Sequence, residues 1–415
     1  MYKINNSTTQ WNFGEAKEPK IHRIHAYPAK FPAFITPKAV ALARQKGVNV
    51  RCVADVFCGC GTTAFEARKL QLDFWGCDIN PVATLIAKVK SAHHDVESLQ
   101  LRYSAIRRQY SRRLGRVSVR GLPSRLNHWY SQGRKRQLKA LLDSIKAETQ
   151  EGAVRDFFLV AFSNILKPVS NWLTKSIKPQ VDPNKKPETA LHAFARQFDF
   201  MIKAIEESPV VENTGSRIEN ANLLEREVEQ PIADVVVTSP PYVTSYEYAD
   251  LHQLSSLWLG FASDYRDLRN GTIGSMFGKP DVTRDLAQIN EIGAGMVTKL
   301  MAVDSSKAAA SARYFADMKR TVDKCNQILR PGGMVFFVIG DTEYKGVKVK
   351  NSLYLAQCLE SAGFIDVEMD RRQITGKILT PYRNSIGRFS RSSNAEKKIY
   401  AEEYVLMGRK PYGKA

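Results

Sequence analysis

Two short strings in the chain carry residue types that can bind a cofactor and hold a flat base. The first, residues 55–63, places Gly59 and Gly61 directly after an apolar, strand-like segment. The second, residues 238–242, follows another apolar segment with a serine, two prolines and a tyrosine. Glycines let a backbone turn tightly and approach a ligand closely. Adjacent prolines instead fix the backbone and remove two N–H donors. The pair predicts a cofactor turn and a site for a base with an exocyclic amine.

The glycine turn should open a helix at Thr62 and Thr63, whose free N–H groups can meet a carboxylate or hydroxyl. Asp78 ends the next predicted strand, and its carboxylate can accept two hydrogen bonds from a ribose diol. A plain structural turn is the alternative for a lone Gly-x-Gly.

In the second string, the carbonyls of Ser239 and Pro240 have no helix or strand ladder to enter, and both can accept from an amine. The Ser239 hydroxyl can also accept. Tyr242 can stack on a base drawn out of its helix. The alternative is a strand-ending turn with a buried tyrosine.

The elements that position these strings alternate between strand and helix. Strands near 51–57 and 74–78 each precede a helix, and the apolar segments 232–238 and 334–339 resume the pattern later. This alternation predicts an α/β fold with a mostly parallel sheet covered on both faces. Two segments interrupt it. They are a largely helical insertion over 95–210 and a second insertion over 262–310, rich in glycine and polar groups.

We therefore predict a catalytic domain made of 1–94 and 211–415, with its cofactor half over 20–94. A helix over about 311–329 should end at the Arg-Pro-Gly-Gly string at 330–333. The helical insertion over 95–210 is the candidate region for target recognition, because of its charge.

Positive charge is concentrated in the helical insertion. The chain of 415 residues carries a net charge of +19, which favours an anionic partner, most plausibly nucleic acid. Residues 98–142 contain no acidic residue. The basic residues of this stretch are Arg102, Arg107, Arg108, Arg112, Arg113, Arg116, Arg120, Arg125, Arg134, Lys135, Arg136 and Lys139. Charge this one-sided predicts a surface patch that contacts phosphates.

The cysteines and histidines give no metal-site pattern. Six cysteines include no Cys-x-x-Cys pair, and seven histidines include no i, i+4 pair on a helix. We predict no metal and a reduced, cytoplasmic protein. The N-terminus lacks the apolar run of a signal peptide, and we expect no contact with a membrane. After the second string, His252 is predicted to make a surface or hinge contact, and Glu247 and Tyr248 are candidates to line the base pocket.

The two strings, in this order, resemble the S-adenosylmethionine-dependent DNA amino-methyltransferases of restriction–modification systems. The string 238–242 looks like the cytosine-N4 branch, whereas the adenine-N6 branch more often has Asp or Asn where Ser239 stands. The string 55–62 is similar to the family's cofactor motif and 76–81 to its ribose motif. The string 25–32 resembles the segment on the methionine side of the cofactor. The resemblance covers roughly 20–90 and 215–410.

The resemblance implies a Rossmann-like class I methyltransferase fold with a seven-stranded, mostly parallel sheet. It implies S-adenosyl-L-methionine as the cofactor, double-stranded DNA as the substrate and a cognate restriction endonuclease as a partner. The implied catalytic residues are Ser239, Pro240, Pro241 and Tyr242. The implied cofactor-binding residues are Tyr27, Lys30, Asp55, Phe57, Gly59, Gly61, Thr62, Asp78, Asn80, Asn220, Ala221 and Thr238. Asn220 departs from the family, which often has an acid at that position.

The expected chemistry is direct methyl transfer to the amine, without a covalent cysteine, so Cys58 and Cys60 are interpreted as packing residues. The candidate DNA-binding residues are Arg107, Arg108, Arg112, Arg113, Arg116, Arg120, Arg383 and Arg388. For the last two an ordinary basic loop is the alternative. Three other interpretations stay open: adenine-N6 methylation, methylation of an RNA base amine, and a non-catalytic DNA-binding subunit.

Overall fold

A mixed β-sheet lies at the centre of the molecule, with helices on both faces. The computed structural model describes residues 4–5, 11–12, 18–28, 30, 32–208, 214–243, 248–276, 281–373, 382–383, 397–398 and 402–413. The strands are β1 Ile4–Asn5, β2 Cys52–Asp55, β3 Asp73–Asp78, β4 Ser216–Asn220, β5 Ala233–Thr238, β6 Leu329–Ile339, β7 Thr342–Tyr344, β8 Val347–Val349, β9 Ile365–Gln373, β10 Tyr382–Arg383, β11 Lys397–Lys398 and β12 Glu402–Arg409.

The helices alternate with the strands in both halves of the sheet. They are α1 Ile35–Gln45, α2 Thr62–Lys69, α3 Pro81–Ser91, α4 Val96–Arg113, α5 Gln132–Glu148, α6 Ala153–Val169, α7 Ala190–Glu206, α8 Tyr248–Leu251, α9 Gln253–Leu259, α10 Val282–Gln288, α11 Glu291–Met301, α12 Ser305–Ile328 and α13 Asn351–Ser361. None of the helices in the described ranges is long and apolar enough to cross a membrane.

The strand order of the main sheet is β1-β9-β12-β6-β5-β2-β3-β4. Strand β12 runs antiparallel to both of its neighbours, and the other pairs are parallel. The chain moves outward in one direction from β2 through β3 to β4, then returns to place β5 on the other side of β2. The predicted Rossmann-like α/β fold is confirmed, with the two-residue β1 added at the sheet edge. Ligands of such sheets bind at the carboxyl ends of the strands where the order reverses, here between β2 and β5.

Alternate residues of the central strands face opposite cores, as the period of two in a strand requires. Val53 and Val235 pack with Val40 of α1 in one core. Ala54 and Val236, their neighbours in sequence, belong to the core beneath α12 and α13. All six residues of β5 are buried, which fits the apolar run at its centre, residues 235–237.

The helical segment from α4 to α7 shares its core with the helices that cover the sheet. Phe158 of α6 and Phe194 of α7 belong to one cluster with Phe65 of α2, Val82 of α3 and Leu254 of α9. The helices of the predicted insertion are therefore packed directly onto one side of the α/β layer. The division of the chain into domains stays a prediction.

Two predicted boundaries differ from the observed ones. Helix α12 begins at Ser305, not near 311, because the Asp304 side chain caps it by accepting from the Lys307 amide at 3.0 Å. Strand β6 begins at Leu329 and runs through the predicted stop at 330–333, where its register with β5 shifts. The short hairpin of β7 and β8 was not predicted. Its residues alternate between apolar and polar types, but each strand is only three residues long, which is too short for a clear signal.

Candidate active site

The two predicted strings meet at the carboxyl ends of β2 and β5. The Thr238 hydroxyl donates to the Asp55 carboxylate at 2.6 Å, so the end of β5 is bonded directly to the end of β2. The same carboxylate accepts from the Thr63 hydroxyl at 2.8 Å and from the Phe57 amide at 3.1 Å. Asp55 therefore joins both strands to the start of α2.

Asp55 is buried, and burial raises its pKa to about 6 even though its three donors favour the ionised form. Both of its oxygens are already used by protein groups. The structure thus gives Asp55 a supporting position under the turn. Its predicted contact with a cofactor stays a prediction.

The glycine turn needs glycine at both positions, for different reasons. Gly59 has φ +47° and Gly61 has φ +76°, a backbone region that side chains disfavour. A Cβ at Gly61 would lie 2.6 Å from the Ala87 Cα, so Gly61 also allows α3 to pack closely. A Cβ at Gly59 would lie 3.6 Å from the Tyr27 ring, which places Tyr27 over the turn.

Asp78 lies beside the turn with acceptor capacity left for a ligand. One carboxylate oxygen accepts from the Gly59 amide at 2.9 Å and the other from the Asn80 amide at 2.8 Å. A carboxylate has about four acceptor positions, so each oxygen can accept once more. Burial raises the pKa of Asp78 to about 6. This arrangement fits the predicted contact with a ribose diol.

Two further predicted residues each have a buried polar side-chain atom without a described hydrogen-bond partner. The Thr62 Oγ1 and the Asn80 Nδ2 are buried and have no hydrogen-bond partner among the described residues. The Asn80 Oδ1 instead caps α3 through the Val82 amide at 3.0 Å. Buried polar atoms are normally paired. These two atoms beside the glycine turn therefore fit a polar ligand such as a nucleoside cofactor.

Asn220, at the end of β4, makes a contact that an acid could not make. Its Nδ2 donates to the carbonyls of Asp78 and Ile79, both at 3.0 Å. The Ala221 amide also donates to the Asp78 carbonyl, at 3.1 Å. The amide side chain keeps its Oδ1 as an acceptor. The departure from an acid at 220 is thus explained by a bond between the ends of β3 and β4.

The catalytic string is held by groups from distant parts of the chain. The Ser239 hydroxyl donates to the Val338 carbonyl at 3.0 Å. The Tyr314 hydroxyl donates to the Pro241 carbonyl at 2.9 Å. The Pro240 carbonyl receives no hydrogen bond from the part of the chain that the structure describes. The Pro240 carbonyl and the Ser239 lone pairs can therefore still accept from an amine.

The Tyr242 ring is positioned by residues that the sequence did not indicate. Its hydroxyl donates to the Glu403 carboxylate at 3.1 Å, and Glu403 forms an ion pair with the buried Arg372. A Cβ at Gly340 would lie 3.1 Å from the ring, so the glycine leaves room for it. The ring's predicted stacking on a base is not tested by these contacts and stays a prediction.

His252 was predicted to make a surface or hinge contact, and the prediction of a surface contact is wrong. His252 is only 4% exposed, and burial lowers its pKa to about 4. Its ring stacks on Tyr27 with centroids 4.9 Å apart and planes 21° apart. The stack connects the segment after the catalytic string with the residue over the glycine turn. A histidine ten residues after the string carries no local signal of such a contact.

Lys30 is engaged elsewhere in its own segment. Its ammonium donates to Glu18 at 2.5 Å and to the His22 carbonyl at 2.7 Å. A contact between Lys30 and a cofactor would have to compete with this ion pair, and it stays a prediction.

The acid-free stretch presents its arginines on the outer face of α4. Leu99, Ile106 and Tyr110 are buried on the inner face. Five predicted residues are exposed and have no ion-pair partner among the described residues: Arg107, Arg108, Arg112, Arg116 and Arg120. Arg113 is half-buried. Lys135, by contrast, is buried and bonds to Asn127, so it is not part of the surface patch.

The end of this stretch contacts the helix that follows the catalytic string. Arg125 and the Trp129 indole both donate to the Gln253 side chain of α9, at 3.2 and 3.1 Å.

Four predictions fall outside the described residues: Arg388, Glu247, and the side chains of Arg383 and Tyr248.

Comparison with known proteins agrees with the two motifs. Residues 3–89 match a protein-family model described as DNA methylase. Over 97% of its length the chain is similar, at 23% identity, to 96% of the Type II methyltransferase M.MvaI of Kocuria varians.

Three solved structures also match. One is the rRNA methyltransferase aviRa of Streptomyces viridochromogenes, at 10% identity and TM-score 0.31, covering 97% of this chain and 96% of that one. A TehB-like SAM-dependent methyltransferase of Corynebacterium glutamicum matches at 8% identity and TM-score 0.28, covering 90% and 86%. A SAM-dependent methyltransferase of Methanosarcina mazei matches at 8% identity and TM-score 0.30, covering 89% and 97%.

All three TM-scores lie below 0.5, so the fold assignment rests on the strand order of the sheet. Neither the family model nor the Kocuria varians enzyme distinguishes cytosine N4 from adenine N6. Together with the two motifs, these matches support the DNA amino-methyltransferase family for this chain.

Proposed function

We propose that the protein is a site-specific DNA methyltransferase. It moves a methyl group from S-adenosylmethionine to the N4 amine of a cytosine drawn out of duplex DNA. The observation that carries this proposal is the bond between Thr238 and Asp55, at 2.6 Å. It holds the acceptors of the catalytic string beside the glycine turn, at the position where α/β sheets bind their ligands.

The catalytic string provides acceptors for an amine. The cytosine amine is a poor nucleophile, because its lone pair is delocalised into the ring. Hydrogen bonds from the amine to the Pro240 carbonyl and the Ser239 hydroxyl favour a pyramidal nitrogen and direct its lone pair. Orientation of this kind is a large contribution when no covalent intermediate forms. Tyr242, held by Glu403, provides a ring on which the base can stack.

The cofactor pocket is formed by the glycine turn and the ends of β3 and β4. S-adenosylmethionine supplies a methyl group on a positively charged sulfur when it is bound. Asp78 accepts from the ribose hydroxyls, and the unpaired Thr62 and Asn80 atoms provide polar contacts. Gly59 and Gly61 allow the close approach of the backbone. Burial keeps Cys58 out of the chemistry, because it raises the pKa of this thiol well above its ordinary value.

The helical part of the chain is proposed to hold the DNA. The exposed arginines of α4 and the following loop face outward without carboxylate partners among the described residues. We assign them to phosphate contacts, with residues 95–210 as the recognition region and 1–94 with 211–415 as the catalytic domain. The proposal includes a restriction–modification system with a cognate endonuclease, and action on cytoplasmic DNA.

The test is mass spectrometry of nucleosides from the DNA of cells that express the protein. We expect N4-methylcytosine with the wild type and strongly reduced amounts with Ser239→Ala. The serine acceptor matters most as the amine becomes pyramidal, so turnover should fall more than DNA affinity in the purified variant. Affinity for S-adenosylmethionine should be unchanged, which serves as the control for folding.

Other products would change the proposal in defined ways. N6-methyladenine as the only product would move the protein to the adenine branch. Methylated RNA with unmodified DNA would assign it to RNA. 5-Methylcytosine would contradict the mechanism, because methylation at that carbon needs a covalent thiolate. A protein that binds S-adenosylmethionine poorly and modifies nothing would be a non-catalytic subunit.

A further inference from the structure

A second basic surface lies on the catalytic side of the sheet, outside the arginine-rich stretch. A groove of about 590 Å³ separates α11 from the β7–β8 hairpin. We call it the hairpin groove. Three exposed lysines line it: Lys299 from α11, Lys348 from β8 and Lys350 directly after β8. Glu291 is its one acidic lining residue, and Met296 lies between the two sides.

The hairpin groove is close to the catalytic string. The hairpin starts two residues after Gly340, whose backbone lies against the Tyr242 ring. The chain returns to the same point at Asn351, whose Nδ2 donates to the Gly340 carbonyl at 3.0 Å. Lys350 directly precedes Asn351, with Cα atoms about 3.8 Å apart across the peptide. Burial raises the pKa of Asp341, the residue after Gly340, and the nearby charge of Lys350 partly opposes this rise, so Lys350 acts at the strand end.

The three groove lysines differ from their neighbour Lys345 in their partners. Lys345 forms an ion pair with Asp304 at 3.0 Å and also contacts the Tyr344 ring. Lys299, Lys348 and Lys350 have no ion-pair partner among the described residues. Like charges along a groove raise the local positive potential and attract anions. Lys345 is thus held in an ion pair, whereas the three groove lysines are in no ion pair with a residue that the structure describes.

We propose that the hairpin groove binds the phosphate backbone of duplex DNA beside the target base. This rests on the proposed function, since the target base would have to reach Tyr242. The strand that carries a base in that pocket must pass over the adjacent surface, and Lys350 and Lys348 lie there. Lysine ammonium groups contact phosphates without reading sequence. The groove would hold the target strand on one side of the pocket, while the α4 arginines contact DNA elsewhere.

The test compares a double variant, Lys348→Gln with Lys350→Gln, with Lys345→Gln as the matched control from the same hairpin. Binding to a long DNA duplex of mixed sequence is measured over a range of salt concentrations. Each lost phosphate contact should lower the slope of log affinity against log salt by about 0.9. The double variant should therefore bind more weakly with a shallower slope, and the control should match the wild type.

A variant outside the hairpin tests whether an effect of the double variant comes from distortion of the hairpin. Lys299→Gln acts from α11, and it should also make the slope shallower, while affinity for S-adenosylmethionine stays unchanged in every variant. An unchanged slope in both the double variant and Lys299→Gln would overturn the proposal. So would a loss of binding to duplex RNA with normal binding to DNA.

Methylation by the wild type is measured on the same duplex. A wild type that binds DNA but transfers no methyl group contradicts the proposed function. A wild type that methylates, alongside groove variants with the wild-type slope, contradicts the groove assignment alone.

Discussion

The two strand ends that form the site are held in different ways. At the glycine turn, Asp55 bonds to Phe57 and Thr63, and Asp78 bonds to Gly59, all within 19 residues of chain. At the catalytic string, Ser239 bonds to a residue 99 positions away and Tyr242 to one 161 positions away. The cofactor turn is thus largely a product of one βαβ segment. The catalytic string takes its shape from strands β6 and β12.

Because of this difference, we expect substitutions in the two regions to affect different properties of the protein. Changes in the turn should act on local packing and cofactor binding. Changes around the string should act on turnover, and their effects should trace back to residues of the C-terminal strands. The Asp55–Thr238 bond is where the two regions meet.

The largest effect is expected from Gly61→Ala. The left-handed backbone costs about 1–2 kcal/mol for alanine, and the clash with Ala87 adds about 1–3 kcal/mol of overpacking. Gly59→Ala is the matched control, since its backbone is also left-handed but its Cβ would make only ordinary contacts, the nearest at 3.6 Å from the Tyr27 ring. Denaturant unfolding should show a clearly larger loss for Gly61→Ala. Equal losses would mean that α3 does not constrain the turn.

Asp78→Ala should weaken S-adenosylmethionine binding by about 1.5–3 kcal/mol, the range for hydrogen bonds to a charged group. Calorimetry measures the affinity directly. DNA binding should change little, because Asp78 belongs to the turn and not to the string. An unchanged affinity for the cofactor would remove Asp78 from the ribose contact.

Tyr242→Ala should reduce turnover through the loss of base stacking, worth about 1–3 kcal/mol. Tyr242→Phe keeps the ring and removes the hydroxyl that donates to Glu403. Single-turnover kinetics should therefore show substantial recovery in the phenylalanine variant. If the turnover of Tyr242→Phe is as low as that of Tyr242→Ala, the contact with Glu403 determines the rate and base stacking does not.

The affinity for S-adenosylmethionine should depend on pH through Asp78. Burial raises the pKa of Asp78 to about 6, and hydrogen bonds from a ribose favour the ionised carboxylate. Binding should be strongest above pH 6 and fall about tenfold for each pH unit below it. Titrations from pH 5 to 8 test this, with Asp78→Asn as the variant that should lose the dependence. A dependence that persists in Asp78→Asn points to Asp55, whose pKa is also raised to about 6.

The unliganded protein should show the opposite trend in stability. Because the folded state holds protons on Asp55 and Asp78 that the unfolded chain releases, stability should decline as pH rises from about 4 to about 6. This trend follows from the same two carboxylates, so it serves as an internal check on the binding titration.

Much of the cofactor half could be predicted from the sequence. Gly59 and Gly61 have the left-handed backbone that their type allows, and Asp78 ends the strand next to them. These features depend on residues close together in the chain. The string at 238–242 was also recognisable, because two prolines after a buried strand leave few local conformations.

The partners of the catalytic string could not be predicted in this way. Val338, Glu403 and Tyr314 have no motif of their own, and the buried stack of His252 on Tyr27 contradicted the expectation of a surface contact. Strand periodicity tells which face a side chain occupies, but not which strand lies opposite. The residue types and their local turns were determined by the sequence itself. The order of the sheet, which brings β12 beside β6 and β5 beside β2, decided which of them meet.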